Sequence, residues 1–427
     1  MKSVIVDKPD RILNGSIALP SSKSISNRLL IIQALTGKEF PMTNLSDADD
    51  TCILSGLLDR IKKSGTSFAP LELDAGNAGT TFRFLTAFLA VRPGSWLLTG
   101  SERMQQRPAG PLVEALRSLG ASIDYLSEIG YPPLLIRGKL LNGGKVMINA
   151  GISSQFISAL LLVAPSLSSG LKIVFKGKEV SSPYISMTVN LLRLYGIKLR
   201  KEMNSITVHP GVFVPKPYTV EADWSSAAFW YEAVALSEVA DLMLKGLRRN
   251  SLQGDSILPE IFRHLGVKTV FKREGIQLIR SGSPASEFCY DFTHHPDLAQ
   301  PVIATCDALG LRGHFDGLEN LRIKECDRVE ALKVELEKLG VKISLNQSGL
   351  PGTTLDLMSS RPNAACTPVV ETYGDHRMVM AFAPLSMITG SLRIKGPDEA
   401  VKSYRGFWDD LERVGFRIEE VLSEGSI

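Results

Sequence analysis

The sequence predicts an α/β protein of two similar domains, each built from three copies of one strand–helix–strand–helix–strands unit. Three observations predict it: a recurring helix ending, a second set of helices apolar on all sides, and β-branched alternating pieces between them. The endings are DRIKKSG at Gly65, ALRSLG at Gly120, LLRLYG at Gly196, IFRHLG at Gly266, VELEKLG at Gly340 and DLERVG at Gly415. The steps between these glycines are 55, 76, 70, 74 and 75 residues. Glycine just past a helix takes the left-handed conformation that stops it, and lysine or arginine in the last turn suits the negative helix end.

The second set opens on small polar residues and runs into apolar ones: SSKSISNRLLII, GNAGTTFRFLTAFLA, GISSQFISALLLVA, ADWSSAAFWYEAVA, HPDLAQPVIATCDAL and GDHRMVMAFAPL. Apolar residues circle the cylinder in these segments, which predicts buried helices. Alternating β-branched pieces such as LKIVFKG and SLRIKG supply strands. The repeating unit is roughly 70 residues long and occurs six times. The proline-marked VPKPY stretch predicts a joint near Pro215–Glu221. Ordinary α/β domains with common glycine caps are the alternative.

Composition narrows the function. At about 150 residues per domain, 427 residues make two large domains or three ordinary ones. Lysine plus arginine (48) against aspartate plus glutamate (45) leaves +3, without the clustered basic excess of a nucleic-acid or membrane-surface binder. Five cysteines, Cys52, Cys289, Cys306, Cys326 and Cys366, include no C-x-x-C pair and read as thiols in a reducing compartment. The opening MKSVIVDKPD has no signal-peptide core, and the greasiest stretch, Met378 to Ile388, is broken by Pro384 and too short for a bilayer. The expectation is a soluble, cytoplasmic protein.

Helix N-termini are partially positive and favour acids, yet several openings here carry cations: Lys23 and Arg28, Arg83, and Arg377. Cations beside free backbone N–H groups and hydroxyls make receptors for phosphate or carboxylate. Gly76-Asn77-Ala78-Gly79-Thr80 lacks the G-K-[ST] ending of a nucleotide loop and reads as a tight turn presenting N–H groups. Ser153-Ser154-Gln155 serves either as a helix cap or as hydroxyl and amide ligands for a phosphate. Lys324-Glu325-Cys326-Asp327-Arg328 reads either as a charged face with a Glu325–Arg328 pair or as two anion grips around a proton-exchanging acid. Asp297 is either a helix-start acid or a base. The six histidines show no metal-ligand spacing, and His294-His295 reads as loop surface.

Lys23-Ser24-x-x-x-Arg28, Gly76-Asn77-Ala78-Gly79-Thr80-x-x-Arg83, Arg107-Pro108, Ser153-Ser154-Gln155, Asn320-x-Arg322-x-Lys324-Glu325-x-Asp327-Arg328 and Asp375-His376-Arg377-Met378 follow in this order along the whole chain. In these motifs the sequence resembles the 5-enolpyruvylshikimate-3-phosphate synthase family. The resemblance implies the enolpyruvyl transferase fold: two domains, each three βαβαββ repeats with buried central helices, like an inside-out α/β barrel. It implies a first domain of residues 21–220, a second of 1–20 plus 221–427, and an active site in the cleft between them.

The resemblance also implies transfer of the enolpyruvyl group of phosphoenolpyruvate to the 5-hydroxyl of 3-phosphoshikimate, with release of phosphate, on the way to chorismate. It assigns Lys23, Ser24, Arg28, Ser153, Ser154, Gln155, Ser181, Tyr184, Asp297, Asn320 and Lys324 to 3-phosphoshikimate. Phosphoenolpyruvate falls to Lys23, Asn77, Gly79, Arg107, Gln155, Arg328, Arg377 and Lys402. Asp297 becomes the base at the attacking hydroxyl, and Glu325, assisted by Lys23, handles the proton at the methylene. No cofactor or metal and no macromolecular partner is implied, the chain acting as a monomer, and Gly79 leaves room for glyphosate to compete with phosphoenolpyruvate. Departures from the family pattern are Ser21 for a usual glycine, and Phe84 and Arg405 where proline is frequent.

The two substrates bring roughly −5 to −6 of charge. Seven named cations less Asp297 and Glu325 leave +5 to meet it. The competing assignments are the enolpyruvyl transferase acting on UDP-N-acetylglucosamine, an RNA 3′-phosphate cyclase-like protein, and a non-catalytic anion binder. Against the first stands the lack of any cysteine between Cys52 and Cys289.

Overall fold

The computed structural model describes residues 2–64, 69–346, 353–358 and 367–421. Gly65 and Cys366 lie outside them. The chain divides into two compact units, Ser22–Val220 and Met1–Ser21 with Glu221–Ile427. Each unit has its own sheets and its own set of inner helices.

In Ser22–Val220, Leu71–Asp74 pairs in parallel with Gly94–Thr99, which is flanked by Leu134–Gly138 and then Ser122–Tyr125, both antiparallel. Gly144–Asn149, Leu171–Lys176, Ser205–Val208 and Leu199–Glu202 repeat this order. The third sheet is a remnant, Met42–Thr43 paired in parallel with Tyr218–Thr219. Here the sequence expectation of equal units is corrected: among the described residues this repeat has no hairpin. The signal was the first glycine step, 55 residues against 70 to 76, short by about one hairpin of two five-residue strands and a turn.

The other unit holds three four-stranded sheets of the same plan. One is Glu287–Asp291, Arg312–Asp316, Thr354–Met358 and Lys342–Asn346. In another, Ile12–Ala18 runs parallel to Val239–Lys245, followed by Gly275–Arg280 and Val267–Phe271. In the last, Val369–Val370 and Ser391–Lys395 are completed by Ser3–Asp7 and Arg417–Val421. The chain's first strand thus stands where the other sheets place the strand that follows the amphipathic helix and its partner.

Six inner helices are Lys23–Thr36, Gly79–Ala90, Ser154–Val163, Trp224–Leu236, Ala299–Ala308 and His376–Phe382. Burial goes all round them; in Trp224–Leu236 every residue but Ser225 is buried. Six amphipathic helices bury one stripe, as Asp50, Leu54, Leu57 and Ile61 do in Asp49–Lys63. Gly120, Gly196, Gly266, Gly340 and Gly415 all take φ between 83° and 95°, which ends these helices. None of the six inner helices has an acid in its first turn, although Asp223 and Asp375 stand at the N-cap positions of two of them.

Candidate active site

In the Ser22–Val220 unit most of the predicted residues lie at inner-helix N-termini, with Ser181 and Tyr184 at the start of Ser182–Leu194 and Arg107 on a loop. Ser22 caps Lys23–Thr36, its hydroxyl accepting from Ile25 N, and places Lys23 in the first turn. Lys23 Nζ lies 3.0 Å from Asp50, a buried acid of the neighbouring amphipathic helix that sequence reasoning took no notice of. Its position in the Asp49-Asp50 pair reads as an ordinary helix-start acid.

Arg28, one turn on, is buried, and burial pulls its pKa down to about 10. Its Nε donates to Thr188 Oγ1 (2.7 Å), Nη1 to Ser24 O (2.8 Å), and Nη2 to Ser158 Oγ (3.1 Å) and Tyr184 O (3.2 Å). The Phe84 ring lies 5.4 Å away, so the phenylalanine found where proline is frequent forms a shelf for this guanidinium. Arg28 thereby braces three helices and fixes Ser24 and Tyr184.

Gly79 opens the next inner helix. A Cβ there would stand 2.8 Å from Nη1 and Nη2 of Arg107 and from Nη1 of Arg83, so only glycine lets both guanidinium groups approach this N-terminus. Arg83 donates to Gly79 O (3.0 Å) and Pro108 O (3.0 Å), tying the loop that carries Arg107 to the helix. Asn77 Oδ1 is buried and finds no hydrogen-bond partner among the described residues. Gln155 Nε2 donates to Thr80 Oγ1 (3.1 Å), joining this helix to the next, which Ser153 caps through Gln155 N (3.2 Å). Ser181, before Ser182–Leu194, is buried at φ 54°, a left-handed conformation uncommon for serine and frequent where strain serves a site.

The other unit is built around one guanidinium. Arg328 begins the helix Arg328–Lys338, capped by Asp327 through Val329 N and Glu330 N. It is 1% exposed, and three carboxylates surround it. Nε donates to Asp375 Oδ2 (2.7 Å) and Nη2 to Asp375 Oδ1 (3.3 Å), Nη2 also to Glu325 Oε2 (2.8 Å), and Nη1 to Asp297 Oδ1 (3.3 Å). Burial by itself would lower the pKa of Arg328; Asp375, Glu325 and Asp297 overcome it and raise it.

Two of the carboxylates carry a second cation each. Arg377 Nη1 donates to Asp297 O (2.9 Å), with Nη2 3.4 Å from Oδ2, and Lys402 Nζ lies 3.4 Å from Glu325 Oε1. The Glu325–Arg328 pair is therefore a buried one. Lys402 is buried as well, beside Glu325. Asn320 lies on the short helix Glu319–Ile323 and Lys324 directly after it, both half-buried.

Asp375 is fully buried and caps His376–Phe382 through Arg377 N (2.9 Å). The motif containing it was legible, its role as the third carboxylate was not. Asp255 was missed altogether: burial and then the charge of Asp297 push its pKa up to about 7, and Ser225 donates to it. His295 corrects another expectation. It is half-buried, its Nδ1 lies 2.8 Å from the Tyr290 hydroxyl, and burial drops its pKa to about 4. Counting Asp50 and Asp375 with Asp297 and Glu325 reduces the sum for the seven named cations from +5 to +3.

A family model described as EPSP synthase (3-phosphoshikimate 1-carboxyvinyltransferase) matches residues 6–411. The 3-phosphoshikimate 1-carboxyvinyltransferase of Bacteroides fragilis is 43% identical over 408 residues, covering 95% of this chain and 97% of that protein. That of Sulfurovum sp. is 34% identical, covering 95% and 98%. The EPSP synthase structure from Acinetobacter baumannii superposes with a TM-score of 0.79 over 99% of this chain and 100% of that one, at 21% identity. The fold is thus that of the EPSP synthase structures. The chain belongs to the EPSP synthase family.

Proposed function

We propose that this chain moves the carboxyvinyl group of phosphoenolpyruvate onto the 5-hydroxyl of 3-phosphoshikimate, with Asp297 and Glu325 as its proton carriers. The observation that carries the assignment of roles is the double clamping of both acids: Arg328 and Arg377 on Asp297, Arg328 and Lys402 on Glu325. The same cations that hold the acids are the ones a phosphate or carboxylate would engage. Arginine meets such groups bidentately, which fixes orientation as well as charge.

In this reading Lys23, Asn77, the Gly79 N-terminus, Arg107, Gln155, Arg328, Arg377 and Lys402 hold phosphoenolpyruvate. Lys23, Ser24, Arg28, Ser153, Ser154, Gln155, Ser181, Tyr184, Asp297, Asn320 and Lys324 hold 3-phosphoshikimate, and Arg28 acts largely by fixing Ser24 and Tyr184. Glu325, with Lys23, delivers a proton to the methylene carbon. C2 of the enolpyruvyl group becomes electrophilic, and the 5-hydroxyl attacks it as Asp297 takes the hydroxyl proton. Phosphate then leaves as a proton is withdrawn from the new methyl group by Glu325, restoring the double bond in the product enol ether. Paired carboxylates sharing acid and base duties in this way suit an addition–elimination.

The chemistry calls for no cofactor, and the proposal extends to a monomer working in the cytoplasm on small molecules. Both units must deliver ligands to one pair of substrates. Phosphate release from phosphoenolpyruvate tests the reading, with 3-phosphoshikimate or UDP-N-acetylglucosamine as acceptor. Release with the first acceptor alone is expected; release with the second alone overturns it.

A further inference from the structure

Arg328 and Glu335 are seven residues apart on Arg328–Lys338, hence two turns apart on one face and about 10 Å along the axis. Arg328 grips Asp375. Glu335 grips the chain just upstream of it. Its carboxylate is fully buried and accepts three bonds: Tyr373 hydroxyl to Oε1 (2.6 Å), Glu371 N to Oε2 (3.1 Å) and Lys338 Nζ to Oε2 (2.6 Å). Lys338 reaches on to Val369 O (3.3 Å). The segment from Val369 to Asp375 is therefore fastened to the helix at both ends.

Between the fastenings the backbone turns through two successive left-handed residues, Tyr373 at φ 54° and Gly374 at φ 69°. Glycine suits that conformation; tyrosine does not. Tyr373 is 44% exposed, so core packing does not explain its presence. What the side chain supplies is the hydroxyl bond to Glu335. Two residues later Asp375 caps one helix and holds Arg328, so an error in the turn passes directly to Arg328 and Arg377.

We propose that Tyr373 and Glu335 are positioning residues for phosphoenolpyruvate: their bond locks the strained turn that sets Asp375, and through it Arg328 and Arg377. The inference rests on the ligand roles given above. It extends them to a side-chain pair that touches no substrate.

Full-length Y373F, E335Q and the double variant test it, by steady-state kinetics and by the alkylation rate of Cys326, followed by peptide mass spectrometry. The thiol is half-buried and lies 3.6 Å from Asp375 Oδ2, so it reports the place of Asp375 without any catalysis. Y373F is expected to raise the KM for phosphoenolpyruvate about fivefold while that for 3-phosphoshikimate stays within twofold, and to speed Cys326 alkylation several-fold. In E335Q the amide can still bond the Tyr373 hydroxyl, so Y373F should add its own effect in the double variant. A purely structural role would lower the melting temperature and leave the ratio of the two KM values alone. Unchanged alkylation, or equal rises in both KM values, overturns the proposal. Faster alkylation in a protein that releases no phosphate from either acceptor would sink the functional reading and, with it, the ligand part of this one.

Discussion

Replacing Asp375 by asparagine is the sharpest perturbation of the candidate site, because it changes one atom beside a buried charge. Oδ1 can remain an oxygen and keep the cap on Arg377 N (2.9 Å) and the bond from Arg328 Nη2 (3.3 Å). Oδ2 then becomes an NH2 group 2.7 Å from Arg328 Nε, donor against donor. Breaking a buried ion pair costs about 3–5 kcal/mol. Asp297 and Glu325 still face the guanidinium, which places D375N at the low end, about 3 kcal/mol. D375A also forfeits the helix cap, worth about 1 kcal/mol more. Trp224, Trp230 and Trp408 lie in the same unit as Asp375, and Trp96 alone lies in the other, so denaturant melts followed by tryptophan fluorescence report mainly on the unit concerned. D375N within 0.5 kcal/mol of the unaltered protein, a margin well inside any cost assigned to a buried pair, would refute the reasoning.

Three further outcomes are expected. Glu232 is fully buried with no hydrogen-bond partner among the described residues for either carboxyl oxygen, and burial pushes its pKa well up; E232M should stabilise by about 1–3 kcal/mol in a melting experiment, and destabilisation would contradict this. Burial also raises the pKa of Asp307 to about 7, so the folded state binds its proton more tightly than the unfolded state does. Stability from that group is complete below the unfolded value and drains away as pH rises through about 7; the unaltered protein should lose about 2 kcal/mol more than D307N between pH 5 and pH 8, measured by urea melts. In G79A the new methyl meets only the flexible ends of Arg107 and Arg83, so the melting temperature should hold while the KM for phosphoenolpyruvate rises several-fold; equal effects on both substrates would tell against the placement.

Much of the repeat was visible because its punctuation is chemical. Each glycine ending within the described residues corresponds to a left-handed residue, as Gly196 at φ 86° and Gly340 at φ 95° show, and that need is written in the residue type. The inner helices were visible for a similar reason, since a segment such as Trp224–Leu236 has no polar face to offer water. The pairings were less accessible. Ser3–Asp7 joins strands nearly the whole chain away, and no local pattern encodes a partner at that separation. In the site, cations at helix starts stood out because they break the dipole rule, whereas Asp50 and Asp375 obey it and so were passed over. Their importance arises from burial beside Lys23 and Arg328, a property of packing that periodicity does not carry.

The most direct measurement is the product itself. Incubation of the protein with phosphoenolpyruvate labelled with carbon-13 at C2 and 3-phosphoshikimate, followed by carbon NMR, should show the label passing into an enol ether at the 5-oxygen as phosphate appears. D297N and E325Q should form it far more slowly while still binding 3-phosphoshikimate. Phosphate without the enol ether, or enol ether at an unchanged rate in both variants, would contradict the account.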